Sequence, residues 1–412
     1  MICNCKKRDT KQKILREAFI LCGESKSSNF SLSEVADRVG ISKTAIFRHF
    51  KNKDALIVEM RHVFLDRFAE LFKGEDFFFS KVPLVPCKYK EFSLIIDRVL
   101  TFYMTNPGYL DFFLSMDTMH SGIGKSLVSA MKDRGVAISD EFIEKGQSIF
   151  YKAYFCAESI VYFLTRRSFG KLNKDPIEFS DERFKEKVIK LLWDGIGSSD
   201  FKLSEKRKNE LDKLSVIKLE DETESKFFKA FAEIFSEYGI DGVTIERISE
   251  KVNLAKSSLY SYFDNKEQFI LQMFFQEVST VSKLILEKAE CVDSIEELIY
   301  TVLHTEKNYL EIKPFVLMIH SWVTQNKFDV EKTHVLGETQ FIKRTREKIQ
   351  GQIEEKYFDT VSSFFGWISS LSGALTIYFG TQKLQELSKT EDYADALFKL
   401  VISGVNTERN LK

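Results

Sequence analysis

An all-α chain made of two tandem halves is what this sequence predicts, on three observations. The stretch Ile41 to Lys53, Ile-Ser-Lys-Thr-Ala-Ile-Phe-Arg-His-Phe-Lys-Asn-Lys, returns as Leu254 to Lys266, Leu-Ala-Lys-Ser-Ser-Leu-Tyr-Ser-Tyr-Phe-Asp-Asn-Lys. Apolar residues recur at helical spacing through most of the chain. The breaks between helical runs recur as well, at an offset of about 200 to 213 residues, which is the signature of a duplicated unit.

Composition supports a protein of several cores. The chain has 412 residues, 44% apolar and 13% aromatic, more than one ordinary domain needs. Its 60 Lys and Arg nearly cancel its 61 Asp and Glu, so any nucleic-acid surface has to be a local patch. The residues after Met1 (Cys3, Asn4, Cys5, Lys6, Lys7, Arg8, Asp9) are polar or charged, and no run of some 18 apolar residues occurs, so a soluble, cytoplasmic protein without membrane contact is expected. Six scattered cysteines are too few for a disulfide framework; only Cys3 and Cys5 are close enough to suggest a redox or metal role, and ordinary thiols are the plainer reading.

Taken in order, Ile14, Leu15, Ala18, Phe19 and Leu21 lie at helical spacing within Thr10 to Cys22, behind a basic lead of Lys6, Lys7, Arg8, Lys11 and Lys13. Ser31 followed by Glu34 forms a capping-box pattern ahead of the apolar face Leu32, Val35, Ala36 and Val39. Gly40 then supplies a left-handed turn, and Ser42 caps the next helix. On that helix Ile46 and Phe50 point inward, while Lys43, Thr44, Ala45, Phe47, Arg48 and His49 lie on or near the outer face. The product is a helix-turn-helix. A longer helix runs on through Leu56, Met60, Phe64 and Phe68 and breaks near Gly74. Phe77, Phe78 and Phe79 fall in an irregular connection, either tucked under neighbouring helices or forming a lid. Helices are expected again at 92–103, 109–120, 136–168 and 181–194. The charged stretch 198–222 reads as a linker, with a short helix possible within it.

The second half retraces the first. Phe227 to Tyr238 is its first helix, Thr244 caps the next, and Ile245, Ile248 and Val252 form the apolar face. Asn253 stands in for Gly40, which its tolerance of the left-handed region permits. Helices follow from Lys266 to Val278, at 339–380 and at 391–404, and the half closes on Leu400-Val-Ile-Ser-Gly404 much as the first closes on Leu191-Leu-Trp-Asp-Gly195.

These residues resemble the TetR/AcrR family of bacterial transcription regulators over about 47 positions per copy. The second copy follows the family pattern closely, with Gly239, Thr244-Ile245, Ile248, Val252, Lys256, Leu259-Tyr260, Tyr262-Phe263 and Asn265-Lys266-Glu267. The first is looser: Phe47 stands where the family usually has Tyr, His49 where it has an aromatic residue, and Asp54 where it has Glu. The resemblance implies helix-turn-helix domains at 1–57 and 223–270, helical regulatory domains at 58–197 and 271–412, and a linker at 198–222. Family members usually pair so that two heads meet successive major grooves about 34 to 36 Å apart. With both heads in one chain, a single-chain pseudodimer is implied, or else a dimer of whole chains. In the pseudodimer the last helices of each half would form a four-helix interface, where Ala153, Ala157, Ile160, Ser370, Gly373 and Ala374 suit close packing; core packing within one half would use the same residues.

The implied partner is a double-stranded DNA operator. Lys43, Thr44, Phe47, Arg48 and His49 of the first head would face DNA, with Lys53 on phosphate. Lys256, Ser257, Ser258, Tyr260, Ser261 and Tyr262 would do so in the second, with Lys266 on phosphate. Core packing is the plainer alternative for Phe47 and Tyr262. Arg48 alone among these suits bidentate reading of guanine. Lys6, Lys7 and Arg8 suit either a minor-groove arm or a solvated tail. Between Lys6 and Leu56 there are twelve Lys/Arg against six Asp/Glu, and between Thr223 and Ile270 six against eight, so the first head should dominate binding and the operator half-sites should differ.

The family likeness further implies a small apolar or aromatic effector in the helical domains. Candidate lining residues are Tyr103, Phe112, Phe113, Met116, His120 and Tyr154 in one half, and Tyr309, Phe315, Met318, His320 and Trp322 in the other, although such stripes are more often plain core. No cofactor, metal site or enzyme is expected: GxSxG, Walker, dinucleotide-binding, HExxH and CxxC patterns are all missing. A transcriptional regulator, in the first place a repressor, is the resulting expectation. The alternative is a helical interaction protein whose acidic second head holds a protein partner.

Overall fold

A computed structural model describes residues 2–25, 30–73, 88–106, 108–115, 129–137, 147–173, 181–196, 203–217, 226–238, 242–260, 263–313, 316, 319, 361–380 and 392–406. Among them the regular structure is entirely helical. The chain divides into two compact units, Met1–Gly195 with Ser403–Lys412, and Ile196–Ile402.

The first unit opens with α1 (Ile2–Ser25), α2 (Leu32–Val39), α3 (Lys43–Ile46) and α4 (Lys53–Glu70). The basic lead expected as an arm belongs to the first turns of α1, because nothing between Ile2 and Cys22 breaks a helix. At the start of α2 the capping box is complete: Ser31 accepts from the Glu34 amide at 3.1 Å, and the Glu34 carboxylate accepts from the Ser31 amide at 2.6 Å. The bond to the Ser31 amide is the first reason that the Glu34 carboxyl sits below its ordinary pKa. Gly40 takes φ 75° at the helix end, and Ser42 accepts from the Ala45 amide to start α3. These caps turn the chain sharply twice, which brings Ile14, Ala18, Phe19, Val35, Ala36, Ile46, Phe50 and Leu56 into the interior.

The body of this unit holds α5 (Tyr89–Thr105), α6 (Tyr109–Ser115), α7 (Gln147–Asn173) and α8 (Asp181–Asp194). Gly135 ends a turn at φ 83°, and Val136 and Ala137 after it are not helical; of the helix expected over 136–168, residues 138–146 lie outside the described residues and 147–168 fall in α7. Phe64 is fully buried, its ring centroid 5.7 to 5.9 Å from those of Phe68, Phe102, Tyr109 and Phe113. Head and body meet where α1 passes α6. Gly108 adopts φ 81° there, and an added Cβ would lie 1.6 Å from the Phe19 carbonyl oxygen. Phe19 packs on Tyr109 at 4.3 Å, and Arg67 of α4 donates to the Tyr109 hydroxyl at 2.7 Å.

The second unit starts with α9 (Glu205–Ser215), the helix inside the charged stretch read as a linker. Its charges are spent on specific partners. Arg207 grips Glu297 through two bonds of 2.8 and 2.7 Å, Lys208 pairs with Asp395 at 2.7 Å, and Asp212 accepts from Tyr300. Burial works to raise the Asp395 carboxyl, but bonds from His304 and Lys208 hold it well below the usual range. Next come α10 (Lys226–Tyr238), α11 (Ile245–Val252), α12 (Lys256–Leu259) and α13 (Lys266–Ala289). Asn253 takes the left-handed conformation at φ 53°, as Gly40 does in the first copy. Phe228, Phe231, Ile234, Ile248, Leu259, Phe263 and Phe269 form the head core. The helix α13 is long and apolar enough to cross a membrane. Its apolar residues Phe269, Ile270, Met273 and Phe274 go instead to the head core, as expected of a packed helix.

Completing the unit are α14 (Ile295–Ile312), α15 (Val361–Gly380) and α16 (Tyr393–Ser403). Here the head–body junction is ionic: Glu277 of α13, 2% exposed, lies 3.4 Å from the Lys313 ammonium and accepts from the Tyr309 hydroxyl. Lys313 also sits 4.3 Å from the Phe228 ring centre on the first head helix. A cation meeting a tyrosine thus serves one junction, and a buried acid serves the other.

Three backbone bonds close the helical ends of the units. Within the second, the Ile196 amide donates to Val401 at 2.9 Å; within the first, the Val405 amide donates to Leu192 at 2.9 Å and the Asn406 amide to Trp193 at 3.1 Å. Gly195 and Gly404 take matching φ values of 68° and 66°.

Candidate nucleic-acid interface

Three side chains fix the outer face of the first head. Ile46 and Phe50 anchor α3 and its following turn in the core, and Ser42 satisfies its first turn, so the intervening residues must point away. Lys43, Thr44 and Arg48 are exposed, and Phe47 is 56% exposed. Core packing is therefore not the fate of Phe47, and an exposed phenylalanine amid polar neighbours is available to touch a thymine methyl or sugar. His49 is half-buried and has contacts within the protein. Lys53 opens α4 with its ammonium 5.3 Å from the Phe30 ring centre, so the cation lies at a helix N-terminus, where phosphate is favoured.

Among the described residues Lys43, Arg48 and Lys51 have no acidic partner, whereas Lys11 pairs with Glu59 at 2.5 Å and Arg38 with Glu24. Lys51 is an exposed cation beside the expected set that sequence reasoning passed over, although its place just after Phe50 was visible.

The second head repeats the frame with altered chemistry. Leu259 and Phe263 are buried, Tyr260 is 53% exposed, and Lys256, Ser257 and Ser258 are exposed. Ser261 and Tyr262 lie outside the described residues. Ala255 occupies the position of Ser42, so α12 has no side-chain cap. Glu246 draws the Lys256 ammonium to 3.0 Å. The Glu246 carboxyl lies below its ordinary pKa through a bond to its own backbone amide and then through Lys256. Lys266 opens α13 half-buried and has contacts of its own. The second head thus holds Lys256 of its third helix against an acid, whereas Lys43 and Arg48 at the corresponding stretch of the first have no acidic partner among the described residues.

The candidate effector residues fare differently. Phe112 is 1% exposed and packs edge-on against Phe19 and at a tilt against Phe64, which makes it a core residue; Phe113 is half-buried beside Phe64 and Tyr103. Tyr103 is buried, and burial pushes its hydroxyl far above the ordinary range. Tyr154 is half-buried, and Tyr309 is committed to Glu277. Met116, His120, Phe315, Met318, His320 and Trp322 lie outside the described residues. Ala153 and Ala157 are exposed on α7. No cluster of three or more metal-ligating side chains occurs among the described residues.

Two helix-turn-helix heads of one plan, each with its third helix presented outward, define a tandem helix-turn-helix architecture. The family model described as bacterial regulatory proteins, tetR family, matches residues 14–60 and again residues 228–273. The chain thus carries the sequence pattern of that family's N-terminal domain twice, once in each unit. It is also 54% identical over 35 residues to a biofilm operon icaADBC HTH-type negative transcriptional regulator, IcaR, of Staphylococcus epidermidis. That stretch is 8% of this chain and 19% of the relative, so the chain spans about a fifth of the relative's length.

Proposed function

We propose that the chain is a transcriptional repressor that binds an operator of two unequal half-sites, with its own two heads acting as the pair. The observation that carries this reading is the outward set Lys43, Arg48 and Lys51, without an acidic partner among the described residues, around exposed Phe47 and held by a fully capped α2–α3 turn. Lys and Arg supply affinity by neutralising phosphate, and Arg48 supplies sequence choice. The second head, with Lys256 drawn to Glu246, contributes less phosphate neutralisation and a different reading face of Ser257, Ser258 and Tyr260. Negative regulation is favoured by the name of the matched relative. A single-chain pseudodimer is favoured by the reciprocal bonds Ile196 to Val401 and Val405 to Leu192, in which each residue is exchanged for its counterpart in the other half. Small-molecule control through the helical bodies completes the reading.

In vitro selection of DNA by the purified protein at a fixed moderate salt tests it. Two unequal half-sites about one turn apart are expected. One half-site, or a symmetric palindrome bound by two chains, would overturn the use of both heads, and no enriched sequence would move the chain to a protein-interaction role. Arg48→Ala should cost about 1 to 3 kcal/mol at one half-site only; equal weakening on every sequence would make Arg48 a phosphate contact. Glu246→Gln releases Lys256 and should steepen the salt dependence of duplex binding by about one counterion. An unchanged slope would show that Lys256 faces no phosphate.

A further inference from the structure

The third helix of the second head opens on a cation that is already taken. Lys256, the first residue of α12, has its ammonium 3.0 Å from the carboxylate of Glu246 in the first turn of α11, and both side chains face solvent. The carboxylate gathers more than this one partner: it accepts first from its own backbone amide, then from Lys256, with the Thr244 hydroxyl adding to both. An amide at a helix N-terminus, an ammonium and a hydroxyl are what a protein offers to a phosphate oxygen, and here an internal anion sits among them.

The first head lacks this contact for a reason visible residue by residue. The middle helices align from cap to cap, Ser31 with Thr244 and Gly40 with Asn253, which places Ser33 opposite Glu246 and Glu34 opposite Arg247. The first-turn acid of α2 thus comes one residue later, and its carboxylate turns back onto the Ser31 amide at 2.6 Å rather than forward to α3. Lys43, opposite Lys256, has no acidic partner among the described residues. The other cations of α11 are engaged as well. Arg247 donates to the Gly242 carbonyl at 2.8 Å and lies 4.0 Å from the Tyr238 ring centre, and Lys251 pairs with Glu233 at 2.7 Å. Ser257, Ser258 and Tyr260 are nevertheless exposed, so the outer face of the second head is in place while its charge is withheld.

We propose that Glu246 is an autoinhibitory latch: its carboxylate occupies the Lys256 ammonium in place of a DNA phosphate, so the second head is silent alone and engages only after the first head has docked. The inference rests on the DNA-binding reading above and supplies its regulation. In a free encounter the carboxylate repels the phosphate it imitates. An exposed ion pair is weak, however, so a phosphate held at high local concentration by a docked first head displaces the carboxylate and takes the cation.

Fluorescence anisotropy of the full chain on a labelled duplex of mixed sequence, at a fixed low salt, tests the latch without knowledge of the operator. Lys43→Ala with Arg48→Ala silences the first head and should weaken binding at least about tenfold. Adding Glu246→Gln, which keeps the shape of the side chain, should return about tenfold, and adding Lys256→Ala to that should remove the gain. Glu250→Gln, at another exposed acid of α11, should return little, since screening confines a surface charge to its near neighbours. No gain from Glu246→Gln, a gain that survives Lys256→Ala, or an equal gain from Glu250→Gln would each overturn the latch while leaving DNA binding by the wild-type protein in place. No duplex binding by folded wild-type protein would overturn the DNA-binding reading itself, and the latch with it.

Discussion

Gly108→Ala is expected to destabilise the first unit by about 3 to 5 kcal/mol, lowering its melting temperature by about 10 °C, and to weaken DNA binding with it. Two effects add at this residue. The backbone is left-handed at φ 81°, and the new Cβ would lie 1.6 Å from the Phe19 carbonyl oxygen and 2.5 Å from its carbon. Both obstacles are backbone atoms of α1, so no side chain can swing aside. The separation of α1 from α6 has to grow, and with it the Phe19–Tyr109 contact that seats the head on the body is lost. Gly40→Ala is the control. That residue is also left-handed, at φ 75°, but an added Cβ would meet nothing within 4 Å, so only about 1 kcal/mol of strain is expected. Equal melting temperatures for the two variants would show that backbone strain, not the close approach of the helices, governs the junction.

The second large effect is expected at the other junction. Glu277→Ala leaves the Lys313 ammonium buried beside Phe228 with its carboxylate gone, and should cost about 3 to 5 kcal/mol. Replacing both partners, Glu277→Met with Lys313→Met, should restore much of that loss, since apolar groups of similar volume carry no desolvation penalty. Denaturant unfolding of the two single variants and the double variant measures the coupling. A double variant no more stable than Glu277→Ala would mean that the Tyr309 hydroxyl, and not the ion pair, holds the site together.

Much of the heads was legible in the sequence because their signals are local. Ser31 with Glu34, Gly40, Ser42, Thr244 and Asn253 act within a few residues of themselves, and each occupies the cap or turn its side chain suits. The exposed position of Phe47 followed from its place between the inward anchors Ile46 and Phe50. The bodies were less legible because their decisive contacts are distant in sequence. Glu277 and Lys313 are ordinary charged residues in any short window, and only folding brings them together. The charged stretch before the second head gave no clear apolar face, since α9 buries little beyond Leu211 and docks through Arg207, Lys208 and Asp212. Phe112 sat on an aromatic stripe that suits a pocket and a filled core equally well, and its burial against Phe19 and Phe64 decides for core. Glu246 drew no notice among many helical acids, because nothing in its neighbourhood along the chain marks it as the partner of Lys256 on the next helix.

The bonds that Val405 and Asn406 make to Leu192 and Trp193 also set an order of events during synthesis. The last carbonyls of α8 must wait for amides that leave the ribosome more than two hundred residues later, an interval of about 10 to 40 s at common elongation rates. The first unit is thus translated first and completed last. A ribosome that stalls within the second half leaves behind a helix-turn-helix head on an unfinished body, so completion of the first unit reports that the second has been made.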